Sequence, residues 1–286
     1  MSNFAKYLMA AVGNSSAEAV LYKDAADYSH VRFDRMNLTG TDRAFGIFIH
    51  PEGTKFYLIQ ENTSIREMNL STPYDISTRS SFTASLSFGT GNDGARSMFF
   101  KPDGTKLYIS DIDDHLYEYT LTTAWDISTG SLTQSKDLQA PFNILWGNFF
   151  KPDGTKFWGC DPSLDRAKGF DLTTAWDIST IDVSSLESSA LLDVSPLSAT
   201  GPRSLWWSND GTKVYIVDVA RDDVMMWNAS TPWDTTAITN STGDPDSVLD
   251  ISSFENIPLS LCFSADGKYM YISGAGGDGV DQLVRS

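Results

Sequence analysis

The 286-residue sequence holds only 2 cysteines and 3 histidines, and its 21 lysines and arginines are outnumbered by 37 acidic residues. Two cysteines in a chain this long make no disulfide framework; Cys160 and Cys262 sit in apolar, strand-like surroundings and read as buried free thiols. His30, His50 and His115 are scattered, with no HExxH and no GxSxG, so a zinc protease or a catalytic triad has no support. The formal charge of −16 opposes binding to phosphate backbones and anionic lipid, which excludes nucleic acid and membrane as expected partners. No stretch approaches the roughly 18 apolar residues of a membrane span. The start "MSNFAKYLMAAVGNSS" has too short an apolar run for a secretory signal, which implies synthesis in a cytoplasm.

What the chain has in quantity is repetition. An acidic residue and a glycine follow an apolar run in "HPEGTKFYLI", "KPDGTKLYIS", "KPDGTKFWGC", "SNDGTKVYIV" and, with an extra shift of the lysine, "SADGKYMYIS". The glycines are Gly53, Gly104, Gly154, Gly211 and Gly267, spaced 51, 50, 57 and 56 residues apart. Each unit parses as an apolar strand, a tight turn at the glycine, an alternating strand, a short acidic loop, a third strand, a loop of the "TTAWDIST" kind and a fourth strand. Glycine suits the turn because it takes positive φ without a steric penalty. Four-strand units in tandem at this period predict an all-β, five-bladed β-propeller of four-stranded antiparallel blades.

The ends must then close the ring. Only 19 residues follow Gly267, room for a second and a third strand but no fourth. Leu86, Leu138, Val194 and Ile251 stand 16 to 18 residues ahead of the next turn glycine, and Leu38 stands 15 ahead of Gly53. The expected blades are residues 42–90, 94–140, 143–197, 201–254 and 257–286 plus 30–40, the last stitched from both termini so that no sheet edge is left open. Residues 1–29 are expected to form an extension or short helix for attachment. A sixth, degenerate blade from residues 17–40 is the structural rival.

The "PDGTKLYI" pattern resembles repeats of the YVTN and NHL type of β-propeller from about residue 42 onward, which implies the fold and leaves the activity open. The leader "MSNFAKYLMAAVGNSS" with "LTTAWDIST" also resembles structural proteins of tailed, particularly marine, bacteriophages.

Loops from fourth to first strand and from second to third strand should open on one face of such a propeller. On that face, eight residues before each turn glycine, stand Phe45, Arg96, Trp146, Arg203 and Leu259. Either the arginines tie blade to blade while the aromatics plug the channel, or the set recognises a ligand. Asp111, Asp161 and Asp218 recur at one repeat position and are expected to cap loop amides. Asp113, Asp114, Asp222, Asp223 and Asp278 are additional; they could hold Ca2+ but lack the ligand spacing of known calcium loops, and a solvated acidic rim is the simpler expectation. On the opposite face Tyr74, Trp125, Trp176 and Trp233 each precede an aspartate, either anchoring their own loops or offering aromatic platforms to sugar rings.

A paired-carboxylate glycosidase needs acids unique to single blades, and the acids here are mostly repeat-equivalent. The expectation is therefore a non-enzymatic virion structural protein: a capsid decoration, knob, fibre or tail-associated propeller, made in a host cytoplasm, with no cofactor. Its partners would be other virion proteins, docked through the apolar cluster Phe4, Tyr7, Leu8 and Met9, in a homo-oligomer or multi-copy assembly, with a host surface glycan as a further partner. The alternative is an extracellular carbohydrate-binding propeller.

Overall fold

The five acidic-glycine pairs are five tight turns, and Gly53, Gly104, Gly154, Gly211 and Gly267 all take φ between 62° and 76°. At the second turn the Gly104 amide donates to the Lys101 carbonyl at 2.8 Å, and Asp103 accepts from the Thr105 amide at 2.9 Å. The computed structural model describes residues 24–36, 38, 43–60, 63–88, 94–184, 191–194, 197, 201–238, 244–277 and 279–286. The expected attachment residues Phe4, Tyr7, Leu8 and Met9, and Asp278 of the acidic set, lie outside them.

Among the described residues, twenty strands form five four-stranded antiparallel sheets. Closure involves β1 (Tyr28–Asp34), which waits for the end of the chain. The first blade is β2 (Ala44–Ile49), β3 (Lys55–Gln60), β4 (Ser64–Asn69) and β5 (Ala84–Ser87). The second is β6 (Ala95–Phe100), β7 (Lys106–Asp111), β8 (His115–Leu121) and β9 (Gly130–Asp137). In the third stand β10 (Asn148–Phe150), β11 (Lys156–Asp161), β12 (Arg166–Asp171) and β13 (Leu191–Asp193). The fourth holds β14 (Pro202–Trp207), β15 (Lys213–Asp218), β16 (Asp223–Asn228) and β17 (Ser247–Asp250). The fifth sheet runs β18 (Pro258–Phe263), β19 (Tyr269–Gly274), β20 (Gly279–Arg285) and then β1. The chain is a five-bladed β-propeller.

Its closing strand lies earlier than the spacing of apolar centres predicts. β1 runs antiparallel to β20 from Tyr28 opposite Arg285 to Asp34 opposite Val280, with a bulge between His30 and Arg32. Leu38 is buried, but beyond the end of this strand. The physical anchor is Tyr28, buried against Phe263, with its hydroxyl donating to the Gly267 carbonyl of the last turn at 2.5 Å. The 3-10 turn Ala25–Asp27 packs with it: Ala25 is buried, and the Ala26 amide donates to Ser247 Oγ at 3.0 Å. The ring thus includes residues ahead of the expected boundary at 30, and β1 is committed to the fifth blade, which removes the six-blade rival.

Inner strands are sandwiched between neighbouring blades and so are buried on both faces, as β2 and β18 are throughout. Outer strands alternate, as in β5 and β17. At the axis the first strands contribute Phe48, Phe99, Phe149 and Trp206, each five residues before its turn glycine. Their rings meet across the ring of blades, with Phe99 to Phe149 at 5.0 Å, Phe149 to Trp206 at 5.3 Å and Phe48 to Trp206 at 6.1 Å. Four large rings in a five-fold space close the axis, so the centre is a packed core.

Candidate functional site at the channel mouth

One layer above that aromatic plug, the innermost strands break register. Ala95 pairs with Asp111 and Ser97 with Ser110, which leaves Arg96 as the extra residue; Arg203 and Leu259 are extra in the same way on β14 and β18. A register shift between Ala44 and Ile47 covers Phe45, and Trp146 sits just ahead of β10, its amide donating to the Cys160 carbonyl at 2.9 Å. A bulge releases one side chain from the sheet's alternation and re-aims it. Here it brings the five residues that precede the turn glycines by eight to the mouth of the axis.

Neighbouring blades fix them there. Ser110 Oγ donates to the Trp146 carbonyl and Ser273 Oγ to the Phe45 carbonyl, both at 2.9 Å. Gly46 and Gly147 follow the two aromatic residues for a steric reason. A Cβ on Gly46 would stand 3.0 Å from the Arg96 carbonyl oxygen, and one on Gly147 would stand 2.9 Å from that of Arg203. The glycines let each arginine-bearing strand approach the aromatic before it.

The result, in blade order, alternates ring and cation. The Arg96 guanidinium lies 4.7 Å from the Phe45 ring centre and 4.8 Å from that of Trp146, and the Arg203 guanidinium lies 4.0 Å from Trp146. Such contacts hold a cation by the quadrupole of the ring. Arg96, Trp146 and Arg203 are half-buried, and Phe45 and Leu259 are buried. Burial, with the nearby charge of Arg203, pushes the Arg96 guanidinium down to about 10; Asp111 acts the other way, and Arg43 adds to the depression. Burial lowers Arg203 as well. Both remain charged at neutral pH. The Nε atoms of Arg96 and Arg203 and Nε1 of Trp146 are buried without a hydrogen-bond partner.

The repeat-position carboxylates around this mouth are already engaged. Asp111 accepts from the Asp113 and His115 amides and the Tyr117 hydroxyl, Asp161 from the Ser163 and Asn143 amides, and Asp218 from the Ala220, Arg221 and Gly201 amides. These are the caps that the repeat position predicts. The solvated rim is corrected in part. Asp113 is exposed, but Asp114 is buried at a φ of 64° and accepts from the Leu145 amide of the next blade at 2.7 Å. Asp223 is buried against Arg221 at 2.7 Å, and Asp222, at a φ of 52°, is half-buried. Burial raises all three of these carboxyls above the usual range. Among the described residues no group of three or more His, Cys, Asp or Glu is arranged to hold a metal ion.

The aromatic loops of the opposite face are seams. Tyr74, Trp125, Trp176 and Trp233 take φ of 64° to 66°, and the following aspartates accept from amides two residues on, as Asp126 does from Ser128 at 3.0 Å. The indole of Trp125 covers Gly104, where a Cβ would stand 2.4 Å from it, and packs on Phe100 at 5.2 Å. Its carbonyl accepts from the Tyr57 hydroxyl of the preceding blade at 2.8 Å; Tyr108 and Trp176 repeat the contact at 2.8 Å, and Tyr271 and Tyr74 at 2.6 Å. Half-buried rings with their faces engaged in this way are poor platforms for sugar stacking. The loop anchors its own blade, as expected, and in addition latches the preceding one.

Two acids specific to the fifth blade escape a search for repeat positions. Asp281, 1% exposed at its side chain, has Oδ1 2.7 Å from His30 Nε2, and the imidazole of His30 stacks on Phe254 at 4.3 Å. Glu255, buried, accepts from the Ile257 amide at 2.8 Å and the Gly276 amide at 2.9 Å. Burial first, then the charge of Glu255, pushes the Asp281 carboxyl up to about 7. The signal available in the sequence for Glu255 was its lack of a repeat equivalent, whereas Asp281 stands 14 residues after its turn glycine, as Glu67 and Glu118 do after theirs, and only the strand register tells it apart.

No family model matches the chain, and no curated protein matches it. Solved structures with a similar fold include a "putative 6-phosphogluconolactonase" from Bacteroides uniformis, 14% identical with a TM-score of 0.46 over 80% of this chain and 63% of that one. Another is a functionally unknown protein from Desulfotomaculum acetoxidans, 10% identical with a TM-score of 0.45 over 82% of this chain and 63% of that one. The chain spans less than two thirds of the length of either.

Proposed function

We propose that this chain is a non-enzymatic structural protein of a bacteriophage particle, with the propeller serving as a rigid interaction or adhesion scaffold. One observation carries the non-enzymatic reading: the repeat-position carboxylates near the channel mouth are spent on architecture. Asp111, Asp161 and Asp218 cap loops, while Glu255 and Asp281 are buried out of a substrate's reach. A glycosidase mechanism needs two carboxyl groups facing one bond, and the mouth faces solvent with guanidinium and aromatic groups instead. The leader and the "LTTAWDIST" repeat support the particle assignment by their resemblance to tailed-phage proteins. A charge of −16 suits a surface facing solvent on such a particle, as decoration, knob, fibre or tail component. Attachment to other virion proteins is assigned to the segment containing Phe4, Tyr7, Leu8 and Met9.

Density-gradient fractionation of the native source, followed by peptide mass spectrometry, tests this. The chain should co-sediment with large particles in many copies. Its recovery only with free protein would overturn the particle assignment.

A further inference from the structure

The chain carries a strong excess of negative charge, yet two of its cations converge on one indole with no carboxylate in ion-pair contact among the described residues. Arg32, Arg79 and Arg221 each hold a carboxylate. Among the described residues Arg96 and Arg203 hold none, and the polar contact of Arg96 is a long one, Nη1 to its neighbour's carbonyl at 3.4 Å. Asp111 and Asp218 act on these guanidinium groups through space but have their oxygens committed to loop amides.

The chemistry of the unpaired groups is one-sided. A guanidinium has only donors and an indole has only a donor. The unpartnered buried atoms of these three side chains are Arg96 Nε, Arg203 Nε and Trp146 Nε1, all of them donors. Two like charges held near one another in a half-dry setting also repel. A ligand that resolves both conditions must be acceptor-rich and negative. Planar guanidinium forks match the two oxygens of a carboxylate or a phosphoryl group.

We propose that the channel mouth binds a small oxyanion, a carboxylate or phosphate group, clasped between Arg96 and Arg203 beside the Trp146 indole. The aromatic plug of Phe48, Phe99, Phe149 and Trp206 beneath makes this a shallow terminal site rather than a passage. The site stands whether or not the protein belongs to a particle.

Isothermal titration calorimetry of the full chain with sodium phosphate, sodium glucuronate and uncharged glucose, at low and at moderate salt, tests the assignment. One anion should bind at one site per chain, weaken as salt rises, and leave glucose without heat. Tighter glucuronate assigns the oxyanion to a carboxylate on a sugar-like ring, and tighter phosphate assigns it to a phosphoryl group. Arg96→Gln and Arg203→Gln should each weaken binding by about tenfold or more, the usual scale for losing a charge-assisted hydrogen bond. Trp146→Phe keeps the ring while deleting the Nε1 donor and should weaken binding severalfold, which keeps the test decisive if an arginine variant fails to fold. Absence of binding by both anions up to about 10 mM, well above the millimolar scale of weak specific sites, would overturn the proposal. So would binding that persists unchanged in a natively folded Arg96→Gln, Arg203→Gln double variant.

Discussion

Replacing Asp281 with asparagine should change how stability depends on pH, because this carboxyl sits where the ring closes. Oδ1 faces His30 Nε2 of the N-terminal strand at 2.7 Å, and Oδ2 is buried without a partner. Burial and the charge of Glu255 raise its pKa from 3.8 to about 7. The folded chain therefore keeps a proton that the unfolded chain has already lost between those two values. Linkage then makes stability fall as pH rises through that window, with the full penalty in place above about 7. At about 1.4 kcal/mol for each pH unit the window spans, the penalty is at most about 4 kcal/mol at pH 8, reduced by whatever the hydrogen bond to His30 returns. His30 acts in the opposite sense: burial lowers its pKa, so its contribution is present at high pH and is lost as pH falls below 6.5. At 31% exposure it is the weaker of the two influences. Asp281→Asn keeps the shape and an acceptor for His30 while removing the titration. Urea midpoints followed by tryptophan fluorescence from pH 5 to 8 should show the variant gaining on the native protein steadily, and exceeding it at pH 8. Parallel curves for the two proteins would refute the assignment of a raised pKa to this carboxyl.

Further expectations concern the seams and the thiols. Gly104→Ala should cost more than about 2 kcal/mol in denaturant unfolding, since the residue holds a φ of 73° and the new methyl would stand 2.4 Å from the Trp125 ring. Tyr108→Phe removes the 2.8 Å hydrogen bond to the Trp176 carbonyl of the next blade and should cost about 1 kcal/mol, with Lys106 Nζ still donating to that carbonyl at 3.1 Å. Cys160 and Cys262 are free and buried, and burial raises both thiols. Ellman's reagent should find neither in the native protein and both after denaturation, whereas rapid native reaction would contradict their burial.

The fold was legible because its signals are local. A turn glycine with an acidic neighbour, a continuous apolar inner strand and a polar outer strand are each written within about ten residues, and repetition removes the ambiguity of any single copy. The predicted blades contain the observed strands of the first four sheets. Closure was legible in kind but misplaced in register, since Leu38 matched the spacing while Tyr28, through its hydrogen bond to Gly267, decided the pairing. The candidate site was legible as positions and not as contacts. Phe45, Arg96, Trp146 and Arg203 could be picked out by counting back from the turn glycines, but nothing in the count shows that bulges aim them to one mouth or that Gly46 and Gly147 admit the adjacent strands.

The same division explains the misread acids. Asp114 looks solvated in "SDIDDH", and only the neighbouring blade's loop, with the Leu145 amide, covers it. Trp125 in "TTAWDIST" reads either as a loop anchor or as a platform, and only the packed seam, with its ring on Phe100 and its carbonyl on Tyr57, decides between the two. By itself the sequence determined the number of blades, the strands within each and the chemistry of the turns, because short-range sterics and hydrophobic patterning suffice for these. Tertiary structure alone decided which side chains meet at the mouth, which acids lose their water and which strand shuts the ring. Those depend on contacts between residues about 30 to 250 positions apart, whose energies exist only once the blades stand side by side.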